Sequence, residues 1–166
     1  MTRRKNLLHS LSMKEKKFTI EIVGKTLTAE FTDLAEQANG SVIIRYGNTT
    51  ALVTATMSKG AKEGGDWFPL TVDYEERFYA AGEILGSRFI RREGRPTDEA
   101  VLSGRIVDRT IRPLFDQRMR HEVQVVITIL SIENDDPDIL AVIGASLALG
   151  VSDIPWGGPV SAIRIG

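Results

Sequence analysis

Ser87-Arg88-Phe89-Ile90-Arg91-Arg92-Glu93-Gly94-Arg95-Pro96 is the stretch whose residue types most plainly suggest chemistry. Four arginines fall within eight residues, with one aromatic ring among them. Guanidinium groups match phosphate oxygens two at a time, and a flat ring gives a base a place to stack. That mixture holds single-stranded nucleic acid. Gly86 and Gly94 let backbone approach a ligand closely. The competing reading keeps the same residues structural: Phe89 and Ile90 anchor the loop in the core, and the arginines pair with Glu93, Asp98 and Glu99. Residue types alone leave both open.

A second arginine set is Arg105, Arg109 and Arg112, spaced four and three and so on one helical face. It reads as a basic stripe toward RNA or phosphate, or as intrahelical pairing. For Asp108 and Arg112, four apart, pairing is favoured. Arg109 and Arg112 are also candidates for buried carbonyls or subunit contacts.

Acidic groups offer less. Asp73 and Glu75 share one strand face and Glu76 the other. Paired carboxylates can hold magnesium or act as acid and base, but they more often sit in water or pair with a neighbour such as Arg77. Asp135, Asp136 and Asp138 are better explained by an Asp-Pro turn and a helix cap than by a cation loop. His9 and His121 are the only histidines and lack a ligand pattern around them. Neither a Gly-x4-Gly-Lys-Ser/Thr loop nor Gly-x-Gly-x-x-Gly is present, which argues against nucleotide-driven or dinucleotide chemistry.

The elements that position these residues follow from periodicity. Met1 to Lys17 reads as a flexible basic arm. Phe18, Ile20 and Ile22 alternate with polar residues, as in a half-buried strand. Gly24-Lys25 turns the chain into a second strand with Leu27, Ala29 and Phe31. After a connection over Asp33–Gly40, the β-branched runs Ser41–Tyr46 and Thr50–Met57 flank Gly47-Asn48 as a hairpin. Lys59–Asp66 reads as a mobile loop, Trp67–Tyr74 as a strand, and Tyr79–Arg95 as a long ordered loop. Thr97 caps a helix whose first turn holds Asp98 and Glu99. Leu102, Ile106 and Ile111 form its apolar spacing, and Pro113 ends it. Glu122–Ile132 is a strong strand. Asn134-Asp135-Asp136-Pro137 turns into an apolar helix over Asp138–Leu149, whose Gly144, Ala145, Ser146 and Ala148 permit close packing. Val160–Ile165 reads as the start of another strand. A lone terminal strand needs a partner, so the chain reads as cut from something longer.

The whole-chain numbers fit this picture. A length of 166 residues suits one domain with a real core. No cysteine is present, which excludes disulfides and thiolate metal sites. No run reaches the roughly 18 apolar residues that span a bilayer, and the basic start lacks the apolar region of a secretory signal. Net charge is −1, so no bulk attraction to a polyanion exists. From Arg77 onward, however, all eleven basic residues are arginine. On composition alone a clade bias explains this best.

Longer motifs carry a resemblance. Phe68-Pro69-Leu70-Thr71-Val72-Asp73-Tyr74-Glu75-Glu76-Arg77, Ala80-Ala81-Gly82, Phe89 through Pro96 and Asp108-Arg109-Thr110-Ile111-Arg112-Pro113-Leu114-Phe115 occur in that order. Glu122-Val123-Gln124-Val125, Pro137-Asp138, Ile143-Gly144-Ala145-Ser146 and Gly158-Pro159 follow. Residues 18–166 thereby resemble the first RNase PH-like domain of the bacterial polynucleotide phosphorylase family. The resemblance implies an α+β fold of the RNase PH type, a mixed sheet with helices packed on one side. It implies a 3′-to-5′ exoribonuclease that uses phosphate as co-substrate, releases nucleoside diphosphates and requires Mg2+ bound outside this segment. It also implies a cytoplasmic homotrimeric ring, partners in RNA-degradation complexes and no membrane association. Helical, second RNase PH-like, KH and OB-type domains would follow, and the second RNase PH-like domain would hold most of the phosphate site.

Carried over by residue, the loop at the ring's constriction falls on Phe89, Ile90, Arg91 and Arg92, with Arg95 beside them. Phe89 is expected to stack a base, Arg91, Arg92 and Arg95 to neutralise phosphates, and the 102–115 helix to support the loop. Ile90 stands where many relatives carry a second aromatic, and Arg88 lengthens the loop by one residue. Thr110 and Leu85 replace common prolines. No catalytic or metal residue carries over onto this segment, so alone it is expected to be inactive. The alternatives are a non-catalytic RNA-binding module and a structural ring component.

Overall fold

The computed structural model describes residues 16–62, 66–83, 96–133 and 135–165. Among the described residues, six strands and two α-helices follow in the order β1 (Lys16–Ile22), β2 (Lys25–Phe31), β3 (Gly40–Tyr46), β4 (Thr49–Ala61), β5 (Leu70–Glu76), α1 (Asp98–Ile111), β6 (His121–Ser131) and α2 (Pro137–Val151). They build one sheet in the order β1-β2-β3-β4-β6-β5. All neighbours run antiparallel except β5 and β6, which are parallel. A parallel pair cannot be joined by a tight turn, and here α1 makes the crossover.

The inner face follows the period of two. Val123, Val125, Ile127 and Ile129 on β6 are fully buried, as are Ala51, Val53 and Ala55 on β4 and Ile44 on β3. Full burial of such a Val or Ile side chain stabilises by roughly 1.5–3 kcal/mol. Both helices cover this one face. Gly144 of α2 lies so close to Val53 and Ile44 that an added Cβ would sit 2.7 and 3.2 Å from their methyl groups. Gly104 of α1 also faces Tyr74, where an added Cβ would meet the Tyr74 Cβ at 3.4 Å, an ordinary contact distance. Tyr74 pairs with Ile127, and Ile127 with Val53, so the two contacts share one side of the sheet. The expected α+β architecture is therefore present.

The helix ends follow their sequence signals. Thr97 accepts a hydrogen bond from the Ala100 N–H, with Asp98 and Glu99 in the first turn, an arrangement worth about 1 kcal/mol. Asp136 caps α2, with Pro137 in its first turn.

Several expectations are corrected. Every residue of β1 is exposed, Phe18 and Ile20 by 62% and 59%. The alternation is real, but β1 is the sheet edge, beyond the reach of both helices. The β1–β2 turn is Val23-Gly24, both with positive φ, one residue earlier than expected. This type of tight hairpin needs positive φ at two consecutive positions. β4 continues through Lys59 and Gly60 to Ala61, because Ala61 still pairs with His121 across a bulge. β5 starts at Leu70 rather than Trp67, since Pro69 has no N–H to give a ladder. Leu102 and Ile106 point outward, 58% and 44% exposed, while Ala100, Ser103, Gly104, Val107 and Ile111 face the sheet. Val160–Ile165 forms no strand. Instead it crosses α2, where the Val160 N–H donates to Ser146 Oγ and Arg164 pairs with Asp136 and Asp138. The basic arm through residue 15 and Asn134 lie outside the described residues, whereas Lys16 and Lys17 belong to β1.

Candidate nucleic-acid interface

Phe89, Ile90, Arg91, Arg92 and Arg95 lie outside the described residues. Their two anchor points are well defined. After β5 the chain makes a 3-10 turn at Phe78–Ala81, ended by Gly82 at φ 76°, where a residue with a side chain would be strained. The Glu83 N–H closes the turn on the Phe78 carbonyl at 3.0 Å. Ala80 is buried, and its carbonyl accepts from the Ile132 N–H at 2.9 Å, which ties the turn to the end of β6. The second anchor is Pro96 and the Thr97 cap of α1.

The connection from Glu83 to Pro96 therefore departs from the carboxyl end of β5, beside the parallel strand β6. A cleft of about 320 Å³ runs between β5 and α1, lined by Asp73, Tyr74, Glu75, Pro96, Arg105 and Asp108 among others. A larger open hollow, about 780 Å³, lies on the uncovered sheet face under the 33–38 loop. It is lined by Asp33, Glu36, Thr54 and Thr56 and brings no cation to a phosphate.

The arginines on α1 and just beyond its end divide. Arg112 is structural: Nε and Nη2 donate to Asp108 Oδ2 and Oδ1 at 2.9 and 2.5 Å, and Nη2 reaches the Leu70 carbonyl at 3.1 Å. This is the favoured Asp108 pairing, and it also supplies the carbonyl contacts expected of that arginine. Arg105 and Arg109 are exposed and make no ion pair among the described residues. Arg105 faces the cleft, so it is the helical arginine with access to a ligand there.

The carboxylates are engaged elsewhere. Asp73 accepts from Gln124 Nε2 at 2.7 Å and Glu75 pairs with Arg77 at 2.5 Å. Asp135 pairs with Lys25 at 2.6 Å and Asp136 caps α2. His121 Nδ1 meets the Ser58 carbonyl at 3.0 Å. Among the described residues no group of three or more His, Cys, Asp or Glu could hold a metal ion. The donor set among the described residues does not fit a dedicated divalent site.

Two residues at the loop's root were not singled out in the sequence. Tyr79 is 58% exposed beside the start of the connection, and no local sequence signal marks it, since the arginine run begins nine positions later at Arg88. Tyr74 is buried, and its hydroxyl has no hydrogen-bond partner among the described residues. Burial, reinforced by the Glu76 and Asp138 carboxylates, pushes its ionisation well above the ordinary tyrosine value. A raised folded value means stability is intact below the ordinary value of 10.0 and is lost as pH rises beyond it. Tyr74→Phe should therefore be neutral or stabilising by up to about 1 kcal/mol at neutral pH. It should also reduce the alkaline loss above about pH 10, read by thermal unfolding across pH. A destabilised Tyr74→Phe would mean that the hydroxyl has a partner after all.

With the fold and site in place, the class is a mixed-sheet α+β domain of the RNase PH type. Residues 24–155 match the model of the 3′ exoribonuclease family (RNase PH), domain 1, and the chain belongs to that family. It is 57% identical over 150 residues to the polyribonucleotide nucleotidyltransferase of Heliobacterium modesticaldum, covering 90% of this chain and 21% of the relative. It is 52% identical over 157 residues to that of Staphylococcus epidermidis, covering 94% and 22%. The chain thus spans about a fifth of the length of these relatives. Among solved structures, rice Rrp46 matches with a TM-score of 0.55 at 13% identity, covering 86% of this chain and 57% of that one. The Archaeoglobus fulgidus exosome with RNA bound to the active site matches with a TM-score of 0.54 at 18% identity, covering 86% and 52%. At such identities these likenesses carry the fold alone.

Proposed function

We propose that this chain is the RNA-gripping first RNase PH-like domain of a 3′-to-5′ phosphorolytic exoribonuclease, and that the catalytic half lies in the remainder of the enzyme. The observation that carries this reading is the arginine-rich run 88–95, set between two anchors at the carboxyl end of a parallel strand, in a chain of this family.

In the complete enzyme an oxygen of inorganic phosphate attacks the phosphorus of the last 3′–5′ link. The bond to the 3′ oxygen of the preceding ribose breaks, that oxygen takes a proton, and a nucleoside diphosphate leaves. This chain's part is to hold the strand. Phe89 stacks a base beside Ile90, Arg91, Arg92 and Arg95 neutralise phosphates, and Arg105 extends the cationic track along α1. Magnesium, where the enzyme uses it, supplies charge relief through residues beyond this chain. The parent is read as a cytoplasmic homotrimeric ring acting on single-stranded RNA, within reach of partners in RNA-degradation complexes.

Arg92→Ala tests the gripping role. Loss of one phosphate contact lowers the slope of log affinity against log salt by about 0.7 for a single strand. Fluorescence anisotropy of a labelled oligoribonucleotide across a salt series reads it, and an unchanged slope would remove Arg92 from the interface.

A structural ring role has its own support. Val101, Leu102 and Ile106 stand exposed on α1 beside Arg105 and Arg109, a mixed apolar and cationic face suited to another protein surface. Concentration-dependent trimerisation lost in Leu102→Asp would assign that face to subunit contact.

A further inference from the structure

The opposite pole of the sheet carries a second group of cations around an exposed ring. The β4 bulge and the turn before β6 lie side by side there: the Lys62 N–H donates to the Arg120 carbonyl at 2.8 Å, and Ala61 pairs with His121. Ser58 ties the same corner, its Oγ accepting from the Glu122 N–H at 3.0 Å and its carbonyl meeting the His121 ring. Trp67, just before β5, is 61% exposed, and Lys62 Nζ stands 5.8 Å from the centre of its ring. Lys59, Lys62 and Arg118 are all exposed and make no ion pair among the described residues.

The neighbouring groups limit what this corner can do. Arg120 is turned inward, donating from Nη1 to the Gln117 and Met119 carbonyls at 2.9 and 3.2 Å, and is not available to a ligand. Asp116 accepts from the Arg118 N–H at 2.9 Å, Glu122 is exposed at the start of β6, and Asp66 precedes the ring. The corner is therefore not a strong electrostatic funnel. Its distinguishing feature is a large flat ring left in solvent with Lys62 over it, and Lys59 and Arg118 on the adjoining segments with no ion pair among the described residues.

We propose that Trp67, Lys59, Lys62 and Arg118 form a second contact surface for single-stranded nucleic acid, at the pole of the sheet opposite the 84–95 connection. Ring and cations supply the two interactions a single strand needs: base stacking, tolerant of sequence, and neutralised phosphates. An acidic peptide would use the cations and leave the ring idle, so the ring decides between the two partners. β5 and β6 begin at this corner and end at the root of the arginine-rich connection. This corner and the root of that connection stand about 30 Å apart along β6 at the usual rise per residue. A long strand engages both, and a short one engages either.

The test uses the 166-residue chain carrying Arg91→Ala and Arg92→Ala, so that failure of the loop reading does not hide the outcome. The probe is a fluorescent oligoribonucleotide of roughly twelve nucleotides, followed by anisotropy across a salt series. Adding Lys59→Gln, Lys62→Gln and Arg118→Gln together should lower the salt slope by about 2, at about 0.7 per lost contact. Trp67→Leu should weaken binding roughly fivefold or more, while Trp67→Phe keeps most of it. All four side chains are exposed, so the fold is not at stake, and circular dichroism verifies this. An unchanged slope in the triple variant, or equal binding by Trp67→Leu and the wild-type residue, would overturn the proposal.

Discussion

Gly40→Ala is expected to destabilise the fold by about 3 kcal/mol, at the upper end of what overpacking costs. Gly40 opens β3 directly beneath the end of α2. A Cβ there would lie 2.2 Å from the Ala148 carbonyl oxygen, 2.9 Å from Ser152 Cβ and 3.1 Å from the Ser152 nitrogen. Two of these atoms are backbone, so no rotamer change relieves the contact. β3 and α2 must separate, which loosens Val42 and Ile44 from Ala145 and Ala148, all essentially inaccessible to solvent. Urea unfolding should show a lower midpoint with an unchanged slope. Gly60→Ala is the control: nothing lies within 4 Å of the added carbon, and its effect should stay within about 0.5 kcal/mol. Equal midpoints for the two variants would mean that β3 and α2 do not approach as closely as described.

The second large effect is Arg112→Ala, expected to cost about 2 kcal/mol. Its guanidinium joins Asp108 to the entry of β5 through the Phe68 and Leu70 carbonyls, at 3.4 and 3.1 Å. The side chain is 35% exposed, so solvent screens much of its attraction to Asp108. The larger share comes from the two carbonyls, whose residues are buried and which would lose a charged donor. Asp108→Asn preserves those carbonyl bonds and should cost about half as much. Should Asp108→Asn prove the more damaging, the ion pair and not the carbonyl contacts holds this corner. Because α1 carries one anchor of the arginine-rich connection, Arg112→Ala should also weaken RNA binding, without changing its salt slope.

Much of the fold was legible because it rests on local signals. The β-branched alternation of β4 and β6, the Gly47-Asn48 hairpin, the Thr97 cap and the small residues of α2 each act within a few positions. Periodicity could not tell how far the helical layer extends. Phe18, Ile20 and Ile22 have the pattern of a covered strand, yet α1 and α2 reach only across β3 to β6. Nor could it rank small against large residues on α1. The sheet takes Ala100 and Gly104, with Gly104 against Tyr74, while Leu102 and Ile106 turn outward. The Asp108–Arg112 pair was legible from its spacing of four, but the carbonyls of Phe68 and Leu70 were not, because 40 or so positions separate them in the chain. The candidate site was legible as residue types on a connection between a strand and a helix, and the structure supplies its two anchors. Trp67 and Lys62 lie five positions apart, and their sequence pattern does not show that the cation stands over the ring.

The most direct test of the central claim is incubation of this chain with a labelled single-stranded RNA, inorganic phosphate and magnesium, following RNA binding and nucleoside diphosphate release together. A domain that grips the strand while its chemistry resides elsewhere in the enzyme should bind the RNA and release no diphosphate. Diphosphate that appears with phosphate and vanishes without it would contradict the account by showing a complete catalytic site within these 166 residues.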